Sequence, residues 1–98
     1  MPRTLDSTLR YSGTSDVVPY TTSSVQSVVV PANCWEARIV CTSNAWINIG
    51  ANPVAAASDN SLYMPAGLVE YYHVTPGQKV AVIQDSTGGN LCVGFMTR

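Results

Sequence analysis

The chain has 98 residues, of which 46% are hydrophobic and only 11% are charged. This length fits one domain with a modest core, and the composition is too apolar for an intrinsically disordered chain. The formal net charge of -1, without any run of Lys or Arg, gives no attraction to nucleic acid or to an anionic membrane, so neither is an expected partner. No apolar run approaches the ~20 residues that cross a bilayer, and no signal-peptide pattern opens the chain, so we expect a cytoplasmic product.

The N-terminal residues 1–24 are rich in Ser and Thr, and their apolar residues are irregularly spaced. Such a segment buries too little surface to offset its own ordering entropy. The sequence therefore predicts an extended polar arm over residues 1–24 and a folded domain over residues 25–98. Leu5, Leu9 and Val17 would anchor the arm on a neighbouring surface, and an untethered tail is the alternative.

The first predicted strands lie between residues 25 and 49. Residues 25–30 form an apolar run that Pro31 ends. In residues 35–41, one face of a half-buried antiparallel strand is indicated by Trp35, Ala37, Ile39 and Cys41. Residues 42–44 read as a tight turn into a strand over 45–49, so these two runs predict a β-hairpin.

The C-terminal half predicts a loop, a short strand over Leu62–Met64, and two strands over residues 69–74 and Lys79–Gln84. Pro76 and Gly77 favour a turn between those two strands, which predicts a second hairpin. A last strand is expected over residues 91–96, with alternate apolar positions facing the core.

Short strands with turn signals every ~8–12 residues, and no helical period, predict an all-β protein. We expect a small antiparallel β-sandwich, jelly-roll-like, with a small barrel as the alternative. Its predicted core is Trp35, Ile39, Ile47, Val80, Val82, Val93 and Phe95.

The residues that carry chemistry are few. His73 is the single histidine, and no nucleophile motif accompanies it. The three cysteines are an odd number without C-x-x-C spacing, so we expect small apolar core residues, with a Cys34–Cys92 disulfide as the alternative. The sequence predicts no enzyme, no metal, no cofactor and no small-molecule substrate.

Apolar residues on two faces of one strand are the more informative feature. In Lys79–Gln84, Val80 and Val82 occupy one face while Ala81 and Ile83 occupy the other, so the second face needs a cover. Aromatic residues are also favoured at the centres of interfaces. The predicted association residues are Leu5, Leu9, Val17, Trp46, Tyr63, Tyr71, Tyr72, Ala81 and Ile83. Burial of these residues by the same chain is the alternative.

Residues 35–96 contain the segments NAWINIG, YMPAG and VTPGQKVAVI, and they resemble small all-β virion structural proteins of tailed bacteriophages. The resemblance implies a non-enzymatic, homo-oligomeric protein of the virion that is made in the host cytoplasm. It would be a capsid decoration or cement protein that binds the major capsid protein or other virion proteins, or else a head–tail or tail protein. A carbohydrate- or ligand-binding β-sandwich, with Trp46 and the tyrosines as stacking platforms, is a separate alternative.

Overall fold

A computed structural model describes residues 9–58 and 60–97. These residues form eight strands and no helix, which confirms the predicted all-β class. The strands are β1 (Arg10–Tyr20), β2 (Val25–Gln26), β3 (Glu36–Cys41), β4 (Ala45–Gly50), β5 (Leu62–Met64), β6 (Glu70–His73), β7 (Lys79–Gln84) and β8 (Gly89–Thr97).

The strands form two four-stranded antiparallel sheets, which confirms the predicted β-sandwich. Sheet A has the order β1-β8-β3-β6, and sheet B has the order β2-β7-β4-β5. The pairings are nested, because β1 pairs with β8, β2 with β7, β3 with β6 and β4 with β5. Only β4 and β5 are consecutive strands of one sheet, so the other connections cross between the sheets.

The core lies between the two sheets and is built from alternate strand residues. Six of the seven predicted core residues are buried, namely Ile39, Ile47, Val80, Val82, Val93 and Phe95. The prediction for Trp35 is wrong, because this residue is 43% exposed. Trp35 precedes the first residue of β3, and its ring stacks on His73 with a centroid separation of 6.2 Å.

Both predicted hairpins are wrong in their pairing, although the turns are correct. Gln78 N donates to Thr75 O at 3.0 Å, and Gly77 has a φ of 92°, so the Pro-Gly turn forms. However, β6 pairs with β3 in sheet A, whereas β7 pairs with β2 and β4 in sheet B. The turn between β3 and β4 likewise connects the two sheets. Alternation reports which side of a strand is buried, and that pattern is the same whether the next strand lies beside it or across the core.

The prediction of an arm over residues 1–24 is corrected by the structure. Residues 10–20 form β1, which pairs with β8 from Arg10 opposite Thr97 to Tyr20 opposite Gly89. The domain therefore begins well before residue 25. The register shifts between Tyr11 and Ser15, and this bulge breaks the alternation that would have revealed the strand. Residues 1–8, and with them Leu5, lie outside the described residues.

The predicted strand over residues 25–30 is shorter than expected. Regular pairing covers only Val25–Gln26. Beyond it, Ser27 N and Val30 N still donate to Val80 O and Gln78 O, each at 2.8 Å. Residues 25–30 therefore run beside β7, but the regular hydrogen bonding between them is interrupted after Gln26.

Candidate interaction surfaces

The loop between β4 and β5 folds over part of the outer face of sheet B. Gln26 Nε2 donates to Pro53 O at 2.9 Å, and Ala55 N donates to Ser24 Oγ at 3.0 Å. Ala81 is opposite Gln26 in the ladder and is completely buried. The prediction that Ala81 belongs to an open association face is therefore wrong, because its own chain covers it.

The rest of the outer face of sheet B carries an aromatic pair. The rings of Trp46 and Tyr63 are 5.1 Å apart at an interplanar angle of 61°. Trp46 Nε1 donates to Asp85 Oδ1 at 3.0 Å, and Ile83, the ladder neighbour of Trp46, is half-buried. Two rings that meet edge to face offer no common flat surface on which a sugar ring could stack. Of the predicted association residues on this face, Tyr63 is the most exposed, at 44%.

The outer face of sheet A is open and largely apolar. Tyr11 is 56% exposed and Val17 is 59% exposed. Between them lies a hollow of about 320 Å³ whose lining includes Tyr11, Ser15, Val17, Cys92, Gly94 and Met96. Gly94 lies close to the Tyr11 ring, because a Cβ built on Gly94 would lie 3.8 Å from Tyr11 Cε1. A side chain at this position would therefore fill part of the hollow.

Two charged residues, Asp16 and Arg38, also line this hollow. The Asp16 carboxylate accepts a hydrogen bond from Val28 N at 2.9 Å. Arg38 is exposed, and no hydrogen bond or ion pair joins it to another of residues 9–58 and 60–97. The guanidinium is thus available to an acidic partner.

The remaining association candidates differ in exposure. Tyr71 is 52% exposed on the outer face of sheet A. Tyr72 is half-buried against the core, and its hydroxyl contacts Met64 Sδ at 3.6 Å. Burial, and secondarily the nearby Glu70, raises the pKa of Tyr72. Tyr72 is therefore chiefly a packing residue. Leu9, the last of these candidates, is only partly exposed.

The sequence analysis missed several exposed apolar residues at one side of the sandwich. Leu62 is 50% exposed on β5, while Leu68 and Val69 are 44% and 39% exposed just before β6. With Tyr63 and Tyr71, they surround the turn at residues 65–67, where β5 and β6 are the edge strands of their sheets. In the sequence, the apolar residues on both sides of the Pro-Ala-Gly turn could have indicated this exposed cluster.

The groups that could carry chemistry are dispersed. His73 is exposed and stacks on Trp35. Cys34, Cys41 and Cys92 are free thiols, the first two of them buried. Among the described residues, no group of three or more His, Cys, Asp or Glu side chains could hold a metal ion. In the same part of the chain, no helix has the length and apolarity needed to cross a membrane.

Comparison with protein-family models, with curated proteins and with solved structures finds no match to this chain. The open face of sheet A, with its hollow and Arg38, and the apolar β5–β6 side are both suited to contact with another protein.

Proposed function

We propose that the protein is a non-enzymatic structural protein of a phage virion, a capsid decoration or cement protein with a jelly-roll-like sandwich. It binds the outer shell and associates with further copies of itself. The observation that carries the proposal is the open apolar face of sheet A, where Tyr11 and Val17 are each more than half exposed. The phage role follows from the resemblance that the sequence segments within residues 35–96 imply, and the nested strand pairing supports the jelly-roll-like sandwich.

The hollow on this face explains how a shell protein could be held. A partner side chain that enters between Tyr11 and Val17 removes apolar surface from water on both molecules, and each large side chain buried in this way contributes about 1.5–3 kcal/mol. Arg38 at the lining would pair with a partner carboxylate and fix its orientation. A few such anchors carry most of the affinity of an interface.

The test uses capsids of the virus that encodes this chain, assembled without it. Co-sedimentation would compare the wild-type chain with a Tyr11→Ser/Val17→Ser variant. We expect the variant to bind at least tenfold more weakly, since two anchors are removed. The matched control is Val54→Ser, because Val54 is 67% exposed but lies on the loop between β4 and β5, away from sheet A. This control variant should bind like the wild type.

The other outcomes separate the alternatives. Binding to isolated tails or to head–tail connectors, but not to capsids, would replace the decoration role with a head–tail or tail role. Binding to a glycan array that is lost in Trp46→Ala or Tyr63→Ala would replace it with carbohydrate binding. Unchanged capsid binding in the Tyr11/Val17 variant would overturn the assignment of the interface to sheet A.

A further inference from the structure

The edge strand β6 has one side without a neighbouring strand. It ends sheet A, with β3 on one side and no described strand on the other. Val74 N donates to Trp35 O at 2.9 Å, so the peptide groups of Val74 and Tyr72 face β3. Because these groups alternate along an antiparallel ladder, those of Tyr71 and His73 point to the open edge. The edge therefore presents two N–H donors and two C=O acceptors.

This edge has little of the protection that natural proteins give to exposed strands, which is usually a Lys, a Pro or a bulge. The opposite edge of sheet A is protected, because β1 contains Pro19 and a bulge between Tyr11 and Ser15. The sequence of β6 is EYYH and has none of these devices. Its short length and the charge of Glu70 limit strand addition, so side-chain contacts must contribute as well.

Exposed apolar side chains lie beside the open edge and supply those contacts. The hydroxyl of Tyr72 on β6 contacts Met64 on β5, which shows that the edges of the two sheets are stacked on the same side of the sandwich. This side carries five of the exposed large hydrophobic residues, which are Leu62, Tyr63, Leu68, Val69 and Tyr71. A partner strand on β6 would therefore cover apolar surface from both sheets.

We propose that two copies of this chain pair antiparallel through β6, about a two-fold axis that passes beside Tyr72. Tyr71 of one copy then lies opposite His73 of the other, and the four N–H···O bonds between them satisfy both edges. The edge is self-complementary in this register. Glu70 would face Val74 of the second copy, so no like charges are opposed. Two copies of sheet A become one continuous sheet.

This inference extends the self-association proposed above, and its test contains no shell, so either proposal can fail alone. Light scattering of the purified chain should give twice the monomer mass of 10.4 kDa. Tyr71→Lys places a charge at the open edge and should weaken the dimer at least tenfold. Val54→Lys is the control, because Val54 is exposed on the β4–β5 loop, and it should leave the dimer intact. Circular dichroism would verify that both variants fold.

Disulfide trapping tests the register. Residues directly opposite each other in a hydrogen-bonded pair have Cα atoms about 5.5 Å apart, which suits a disulfide. In a Cys92→Ser background, the Tyr71→Cys/His73→Cys double variant should form a covalent dimer on oxidation. Each single variant should not, because the two equivalent residues are then diagonal neighbours about 7–8 Å apart.

Three results would overturn the proposal. A wild-type chain that stays monomeric at millimolar concentration excludes the dimer. A dimer that Tyr71→Lys leaves unchanged places the contact elsewhere on the molecule. Efficient trapping by the Tyr71→Cys single variant, without trapping by the double variant beyond that level, replaces the proposed register with one centred on Tyr71.

Discussion

The phenolic hydroxyl of Tyr20 satisfies both backbone groups of Ser43. It donates to the Ser43 carbonyl oxygen and accepts a hydrogen bond from Ser43 N at 3.2 Å. Tyr20 is the last residue of β1 and is 1% exposed, whereas Ser43 lies in the turn between β3 and β4. Burial raises the pKa of Tyr20. One side chain thus joins the first strand to the crossing between the two sheets.

Removal of this hydroxyl is the first prediction. Tyr20→Phe keeps the ring but leaves the N–H and C=O of Ser43 without their partner, so unfolding free energy should fall by about 1–3 kcal/mol. Urea denaturation would measure the loss. Tyr11→Phe is the control, because Tyr11 is 56% exposed and its hydroxyl makes no hydrogen bond to another described residue. Equal losses in the two variants would show that the hydrogen bonds between Tyr20 and Ser43 do not stabilise the fold.

Two glycines of β8 should respond differently to the same substitution. A Cβ on Gly89 would lie 2.8 Å from both Thr42 Oγ1 and Tyr20 Oη, so Gly89→Ala must displace the Tyr20 hydroxyl from its hydrogen bonds with Ser43. We expect a loss of about 1–3 kcal/mol in urea denaturation, as for other overpacked sites. A Cβ on Gly94 meets nothing closer than 3.8 Å, so Gly94→Ala should stay within about 0.5 kcal/mol of the wild type. The reverse order of the two losses would show that this packing is wrong.

Neighbouring residues of β3 test which face is buried. Ile39 is completely buried, and Val40 on the opposite face is only half-buried. Ile39→Ala should therefore cost about 2–5 kcal/mol of unfolding free energy. Val40→Ala should cost less than half as much, as measured by the same denaturant unfolding. A loss below about 1 kcal/mol for Ile39→Ala would mean that the strand faces the other way.

The sequence predicts burial well where a strand alternates without interruption. Ile39 on β3, together with Val93 and Phe95 on β8, follows the period of two and lies in the core. The period fails at Trp35, which precedes its strand, and along β1, where the bulge near Gly13 shifts the register. What failed was the assumption of regular geometry at the ends and interruptions of strands.

Strand partners and the covered part of the outer surface could not be read from the sequence. The turns at residues 42–44 and 75–78 are visible, but a turn between sheets and a hairpin turn use the same residues. Ala81 is apolar on the outer face, as predicted, yet the hydrogen bonds of Gln26 and Ala55 that hold a loop there depend on the assembled fold. The exposure of Leu68 likewise depends on the assembled fold, because Leu68 lies just before β6, the edge strand of sheet A.

The buried thiol of Cys41 makes stability depend on alkaline pH. Burial raises the pKa of Cys41 from 9.0 to about 11, because the thiolate would lose its hydration in the core. Since the folded-state pKa is the higher one, the unfolded chain loses this proton first as pH rises. The contribution is therefore complete below about pH 9 and disappears by about pH 11. The unfolding free energy should fall by about 2–3 kcal/mol over that range, as measured by urea denaturation at each pH.

The control for this pH dependence is Cys41→Ala, which removes the titrating group and should flatten the fall between pH 9 and 10. Above pH 10 a fall should remain, because the pKa of Tyr20 is also raised by burial and its folded state holds the phenolic proton longer than the unfolded chain does. Adding Tyr20→Phe to Cys41→Ala should then remove much of the remaining slope. If Cys41→Ala keeps the full wild-type slope from pH 9 to 10, another group controls stability there, and the buried thiol does not.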